Sequence, residues 1–224
     1  MSKVLLIGGS GDIGDAIANK FKKNGSQIIM PTRKEMDLED RGSIERFFEN
    51  KKLNIDVLIH SAGFNDPKSI EELSDEDIDK TYEINVISFY KIIKQVLPVF
   101  KKKKNGYILA ISSLYSFLAR SKRLAYVMSK HSLNGLIKTL AIELGPYNIM
   151  INALSPGFVN TKMTRKNNDP KTIRSFKEKI PLGHLASPVD IANVAYFLCS
   201  EENTYITGQN IIVDGGYSIG GFQV

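Results

Sequence analysis

The chain has 224 residues, 42% of them hydrophobic and 24% charged, which suits one compact α/β or large all-β domain and argues against disorder, collagen and coiled coil. No apolar run approaches the roughly 20 residues of a membrane helix. The glycine-rich start does not read as a secretory signal. One cysteine, Cys199, excludes an internal disulfide, and no Cys/His cluster suggests zinc, so a cytoplasmic protein is expected, with Cys199 a small buried hydrophobe. Thirty basic against 24 acidic residues give a net charge of +6. That balance permits an anionic partner: a phosphorylated cofactor, a nucleotide-activated substrate or an acidic carrier protein.

In chain order, residues 4–7 read as a strand and 13–24 as a helix. Residues 27–30 read as a second strand, 36–38 as a weak third, 43–50 as a helix and 55–60 as a strand. Ser74-x-x-Asp77 resembles a capping signal. It opens a long helix predicted to reach Lys103, with Pro98 kinking or breaking it. The lysine run 101–104 before Asn105-Gly106 suits the end of that helix. Strands over 107–112 and 149–154, helices over 124–145 and 188–200, and a strand over 211–213 complete the pattern. Alternation of this kind builds a parallel sheet covered by helices on both faces. Such sheets bind ligands beyond the carboxyl ends of their strands.

The first such end is Gly8-Gly9-Ser10-Gly11-Asp12-Ile13-Gly14, between a predicted strand and a predicted helix. Glycines there allow a tight turn and a close backbone approach to a pyrophosphate. Gly14 lets the helix pack near the sheet, and the helix N-terminus favours phosphate charge. The bland alternative is a glycine-rich connection and nothing more. The second strand runs into Pro31-Thr32-Arg33-Lys34, with no acidic residue before Glu35. An acidic residue at this point would hydrogen-bond the ribose of NAD, whereas Arg33 offers a planar fork for the extra phosphate of NADP. NADP(H) is therefore expected over NAD(H), with Asp37 and Leu38 flanking the adenine; alternatively Arg33 and Lys34 simply project into solvent.

The strand over 107–112 leads into Ser113. Tyr126 follows 13 residues later and Lys130 four beyond that, so Tyr126 and Lys130 share a helix face. A free phenol, with a pKa of about 10, is a poor acid–base group at neutral pH. A nearby ammonium lowers that value towards the useful range. Ser113 is placed to hydrogen-bond a substrate oxygen as charge develops on it. Asn85, in the long helix, is a candidate to hold a water linked to Lys130. Taken singly, each of these residues reads better as structural: a capped turn, a half-buried tyrosine, a solvated lysine.

At these residues the sequence resembles the compact branch of the short-chain dehydrogenase/reductase family. The ordered set comprises the glycine loop, Ala62-Gly63, Asn85, Ser113, Tyr126-x-x-x-Lys130, Pro156-Gly157 and Asp214-Gly215-Gly216, and it spans nearly the whole chain. The resemblance implies a Rossmann-type doubly wound parallel sheet of about seven strands in a single domain, 1–224, with a substrate lid at about 162–181. It implies that Tyr126 is the general acid in carbonyl reduction and the base in alcohol oxidation. Ser113 would orient the carbonyl, Lys130 would also bind the nicotinamide ribose, and Asn85 would complete a proton relay. Gly8, Ser10, Gly11, Asp12, Ile13, Gly14, Ala62 and Gly63 would border the cofactor. Pro156, Gly157, Val159 and Thr161 would line the nicotinamide. A homotetramer or homodimer is implied, assembled through the long helices and a C-terminal tail reaching Gly221 and Phe222.

Three departures stand out. Asp12 replaces the family's usual second glycine. His60-Ser61-Ala62-Gly63 replaces Asn-Asn-Ala-Gly, with His60 read as structural. Few residues separate the second strand from Asp37, so the usual helix there is expected to be deleted, opening the adenine edge.

The chain looks most like 3-oxoacyl-carrier-protein reductases, although this fold hosts many chemistries. Arg120-Ser121-Lys122-Arg123 borders the expected active site, and the lid carries Lys162, Arg165, Lys166, Lys171, Arg174, Lys177 and Lys179. An anionic carbonyl substrate fits that charge, either an acyl thioester of phosphopantetheine or a nucleotide-linked keto sugar; a solvated lid helix fits it equally. The loop Gly145-Pro146-Tyr147-Asn148 lacks the basic residue those reductases commonly carry, while Lys104 is read as a match to a second docking position. A cofactor-sensing regulatory protein on the same scaffold would be expected to lose the proton-transfer residues. Nucleic acid is not expected as a partner, because no helix carries a basic face interleaved with aromatics.

Overall fold

The computed structural model describes residues 1–49, 51 and 53–220. Asn50, the expected end of one helix, and Gly221 and Phe222 of the expected interface tail lie outside the described residues. The chain begins with strand β1 (Lys3–Ile7), whose Val4-Leu5-Leu6-Ile7 run is buried on both faces, as parallel strands demand. Helix α1 (Asp12–Lys23) turns Ile17, Ala18 and Phe21 inward, and β2 (Gln27–Ile29) pairs with β1. Then come α2 (Arg41–Glu49) and β3 (Val57–His60). Helix α3 (Asp75–Tyr82) starts at Ser74, which forms a full capping box with Asp77. Helix α4 (Ser88–Lys103) precedes β4 (Gly106–Ile111), and α5 (Leu124–Leu144) precedes β5 (Ile149–Pro156). Two short helices, α6 (Lys162–Lys166) and α7 (Pro170–Lys179), lead to α8 (Pro188–Leu198) and β6 (Asn210–Val213).

All strands pair in parallel in the order β2-β1-β3-β4-β5-β6. The chain leaves β1 towards β2 and returns to the other side at β3, so the order reverses between β1 and β3, and a crevice opens at their carboxyl ends. One face of the sheet packs Phe89, Ile92 and Phe100 of α4 and Leu133 and Ile137 of α5. The other packs Phe21 of α1 against Ile191 and Ala195 of α8. Cys199 is buried in this second core, and burial raises its thiol well above the usual range.

Two sequence expectations change. The described residues form six strands, not about seven, because residues 36–38 are irregular. The Met36 and Asp37 amides are taken by the Thr32 carbonyl and the Ser43 hydroxyl, while Met36 is buried and Leu38 packs on the core as parts of a loop. A parallel neighbour needs a crossover of about a dozen residues, and the segment after β2 is too short to supply one. The long helix also changes character. Between α3 and α4 lies a π-helical segment, Glu83–Ile87, while Pro98 sits inside α4 without ending it. The inserted residue of a π segment re-aims the side chains around it; here these include Asn85.

Candidate active site

The glycine loop is shaped by close approach. A methyl group on Gly8, at φ +80°, would sit 2.4 Å from the Ala62 amide nitrogen, and one on Gly14 would sit 2.2 Å from the Gly8 carbonyl oxygen. Only hydrogen fits at either place, and Gly11 donates its N–H back to the Gly8 carbonyl. The N-cap of α1, Gly11, offers no side chain to the first helical amides, which leaves those donors for a ligand. The Asp12 carboxylate accepts from the backbone amide of Lys162, the first residue of α6. It therefore ties the loop to the region expected to form the lid.

Beside the loop lies a cavity of about 510 Å³, bordered by Gly8, Ser10, Thr32, Arg33, Asp37 and Leu38 among others. Its position at the β1–β3 crevice and the cradle that any Cβ would fill both fit a dinucleotide. Thr32 is held by Glu35, which accepts from both its amide and its hydroxyl. That contact draws the Glu35 carboxyl below its usual range. Arg33 differs from the sequence expectation of a free fork. Its Nε donates to Asp37 at 3.3 Å and its Nη2 to Glu39 at 2.7 Å, because the short loop folds both carboxylates back onto it.

The neighbouring chamber, of about 160 Å³, brings together Ala62, Gly63, Ser113, Tyr126 and Lys130 with Ile13, Pro156, Gly157, Val159 and Thr161. Gly157 admits no side chain either, since a methyl group there would lie 2.7 Å from the Asp214 Cα. The Thr161 hydroxyl caps α6 through the Thr164 amide. Thus the two cavities gather most of the residues singled out for cofactor and substrate chemistry, while Gly11 and Asp12 border a third cleft and Asn85 is buried behind them.

The electrostatics differ from the simplest expectation. Lys130 is 2% exposed, and its Nζ donates to the Ile111 carbonyl at 2.9 Å, lying 5.5 Å from the centre of the Tyr126 ring. Burial lowers this ammonium to about 8. Burial pushes the Tyr126 phenol up to about 12, against the lowering effects of the Ser113 hydroxyl and the Arg123 guanidinium. The Lys130 ammonium, over the Tyr126 ring, is anchored by the Ile111 carbonyl, and Arg123 adds a second cation near the phenol. Asn85 is buried in the π-helical segment. Its amide donates to the Phe64 carbonyl and the Ser129 hydroxyl and accepts from the Phe64 N–H. It thereby clamps the Ala62-Gly63 loop to α5. His60 is buried, hydrogen-bonds the Ser88 hydroxyl, and is held down to about 3 by burial and by Lys130; it stays neutral at physiological pH.

Sequence reasoning did not single out Asn65, Tyr115, Asn167 or Asn168, which also line this chamber. Nothing in their local spacing marks them; distant loops bring them together. Arg120 and Arg123 belong to the basic run before Tyr126, and both line the chamber. The Asn65 Oδ1 and Ser112 Oγ atoms are buried with no hydrogen-bond partner, two polar groups that a bound molecule would satisfy.

A glycine cradle at the turning point of a parallel sheet, opening onto a tyrosine and a buried lysine, defines the Rossmann-type nicotinamide-dependent oxidoreductases. The sequence profile described as "Enoyl-(Acyl carrier protein) reductase" matches residues 12–218, and the chain belongs to the short-chain dehydrogenase/reductase family. It is 35% identical over 222 residues to the 3-oxoacyl-[acyl-carrier-protein] reductase of Aquifex aeolicus, covering 96% of this chain and 87% of that one. It is 33% identical over 242 residues to human dehydrogenase/reductase SDR family member 4, with the same two coverages, 96% and 87%. Among solved structures, a putative NAD(P)-dependent gluconate 5-dehydrogenase from Beutenbergia cavernae with bound NADP superposes with a TM-score of 0.92 at 26% identity, covering 97% of both chains. The 4-hydroxyisoleucine dehydrogenase complexed with NADH gives 0.92 at 27% identity, covering 98% of this chain and 100% of the other. The protein is an NAD(P)-dependent oxidoreductase acting on a CH–OH or C=O group.

Proposed function

We propose that this protein reduces the carbonyl of an anionic substrate to an alcohol with NADP(H) as cofactor. The reading is carried by one observation: Ser113 and Tyr126 share a chamber that adjoins the glycine cradle. The bound cofactor supplies the hydride. Tyr126, raised to about 12 and so protonated at neutral pH, hands its phenolic proton to the carbonyl oxygen. Ser113 donates a hydrogen bond to the same oxygen and holds it in line. Lys130 orients the nicotinamide ribose and carries the positive charge behind the phenol. Asn85 fixes the loop at Ala62 and Gly63 and, through Ser129, the helix that bears Tyr126. Gly8 through Gly14 hold the pyrophosphate, and Val159 and Thr161 the carboxamide. Residues 162–181, which contain α6 and α7, close over the substrate.

The choice of NADP(H) is supported by the absence of an acidic residue at the end of β2 and by Arg33 at the cavity rim, its side chain 73% exposed. On this reading Arg33 exchanges Asp37 and Glu39 for the ribose phosphate, one charge-assisted partner for another. Likeness to the Aquifex reductase supports a 3-oxoacyl thioester as substrate. A nucleotide-linked keto sugar or another small carbonyl compound is favoured instead by the turn at Gly145–Tyr147, which carries no basic residue. A cytoplasmic homotetramer or homodimer completes the reading. Among the described residues no helix is long and apolar enough to cross a membrane, and α4 and α5 leave Tyr90, Leu124 and Met128 exposed for a second copy.

The test is NADPH oxidation by the purified protein with an acetoacetyl thioester, beside Tyr126→Phe. Turnover in the wild type that falls by about 10²–10⁴-fold in the variant supports the assigned acid. Equal turnover in both removes Tyr126 from that role. NADPH binding without turnover removes the thioester and leaves the smaller carbonyls.

A further inference from the structure

Two guanidiniums in the catalytic chamber lack a counter-ion. Arg123, at the N-cap of α5, is 6% exposed. Its Nη1 donates to the Lys122 carbonyl and its Nη2 to the Asn167 carbonyl, both at 3.3 Å. Arg120 donates through Nη1 to the Asn168 Oδ1 at 3.1 Å and to the Tyr115 hydroxyl at 3.4 Å, and its guanidinium lies 5.1 Å from the centre of the Phe176 ring. All of these partners are neutral. Among the described residues neither arginine forms an ion pair, whereas the surface residues Arg33, Arg41 and Arg46 each sit on a carboxylate. Asp66, the carboxylate whose charge reaches Arg123, lies 3.6 Å from Lys68. The arrangement is electrostatically unfavourable by itself. Burial and the neighbouring charge of Arg120 both act against the charged form of Arg123. A cation taken out of water is stabilised when an anion meets it.

We infer that Arg120 and Arg123 are the anion subsite of the substrate, gripping a carboxylate or a phosphate-type group while the carbonyl lies at Ser113 and Tyr126. This rests on the reductase reading above and narrows it to a substrate class. Arg120 and Arg123 line the same chamber as Ser113 and Tyr126, so the substrate carries its anionic group on the same side as its carbonyl and is an oxo acid. An acyl thioester of phosphopantetheine is neutral at the corresponding distance from its carbonyl. The guanidinium fork recognises two oxygens at once. Both arginines also reach Asn167 and Asn168, in the turn between α6 and α7, so the anion is gripped where the lid folds down.

The experiment compares matched carbonyl compounds with NADPH: acetoacetate, its methyl ester, 2-oxopropylphosphonate and an acetoacetyl thioester. The proteins are wild type, Arg120→Gln, Arg123→Gln and Arg123→Lys. The wild type is expected to favour the acid over the ester by about tenfold or more in kcat/KM, the worth of a charge-assisted contact. The loss in the glutamine variants appears in KM for the acid and brings the acid-to-ester ratio towards one. Arg123→Lys restores part of the ratio. A preference for the phosphonate over acetoacetate assigns the subsite to phosphate-type anions. An acid-to-ester ratio near one in the wild type, or a ratio unchanged in the variants, overturns the inference and makes the arginines lid struts. Turnover of the thioester alone overturns it while leaving the reductase reading intact. Where no compound is reduced, the reductase reading fails separately. Quenching of NADPH fluorescence by acetoacetate against its ester then decides the subsite, and equal binding of the two refutes it.

Discussion

Replacing Lys130 by methionine should stabilise the protein at neutral pH while abolishing its activity. The ammonium is buried, and its folded-state value of about 8 lies below the ordinary 10.5. Below pH 8 both the folded and unfolded chains carry the proton, and the folded state bears the full penalty of a buried charge. Between about pH 8 and 10.5 the unfolded chain holds the proton and the folded chain has released it, so stability rises with pH across that window. Holding the ammonium at about 8 instead of 10.5 corresponds to about 3 kcal/mol. The methionine variant lacks this term but leaves the Ile111 carbonyl without its donor, a loss of about 1–3 kcal/mol. The variant should therefore be up to about 2 kcal/mol more stable at pH 7, as much as several degrees in Tm for a chain of this size. It should become the less stable of the two near pH 10.5. Urea unfolding of the cofactor-free wild type and variant at several pH values checks this. Parallel stability curves, separated by the same amount at every pH, would refute the assignment of a desolvated, charged Lys130.

The glycine loop offers a matched pair of substitutions. Gly14→Ala forces a methyl group to 2.2 Å from the Gly8 carbonyl oxygen and should cost about 1–3 kcal/mol along with most of the NADPH affinity. Gly135→Ala, with nothing within 4 Å, should be neutral or gain up to about 1 kcal/mol; thermal melts and cofactor fluorescence separate the two. Arg33→Ala should lower the preference for NADPH over NADH by about tenfold, read as the ratio of kcat/KM values, and an unchanged ratio would move the phosphate contact elsewhere. Tyr126, raised to about 12, should add no phenolate absorbance below pH 10 in the cofactor-free protein. The spectrum of the wild type minus that of Tyr126→Phe reads this directly, and a step near neutrality would contradict it.

Spacing made most of the catalytic geometry legible. Gly8 to Gly14 sit between an apolar run and an amphipathic one, and Tyr126 and Lys130 are one helical turn apart, so both signals are local. What escaped was tertiary. Met36 and Leu38 are apolar because a loop buries them, which a pattern of residues does not distinguish from a short strand. The π segment that places Asn85 has no compositional mark, and Pro98 is tolerated within α4. The direction of the Lys130 ammonium towards Ile111, and the burial of Arg123 among carbonyls, depend on strands and loops far away in sequence. A basic run before Tyr126 was visible; which of its cations would be left without a carboxylate was not.

The loop that stands in for the deleted crossover is held at its surface by ions. Arg33 bridges Asp37 and Glu39, Lys80 also meets Glu39, and Arg41 reaches across to Glu83. Pairs of this kind weaken as salt shortens the reach of their fields, whereas Lys130 and Arg123 lie out of reach of that screening. Ionic strength consequently acts on the two halves of the site unequally. It loosens the wall of the cavity beside Thr32 and Arg33 while the chamber around Lys130 keeps its shape. The rim of the larger cavity then answers to the medium, and the chamber beside it is set by the fold.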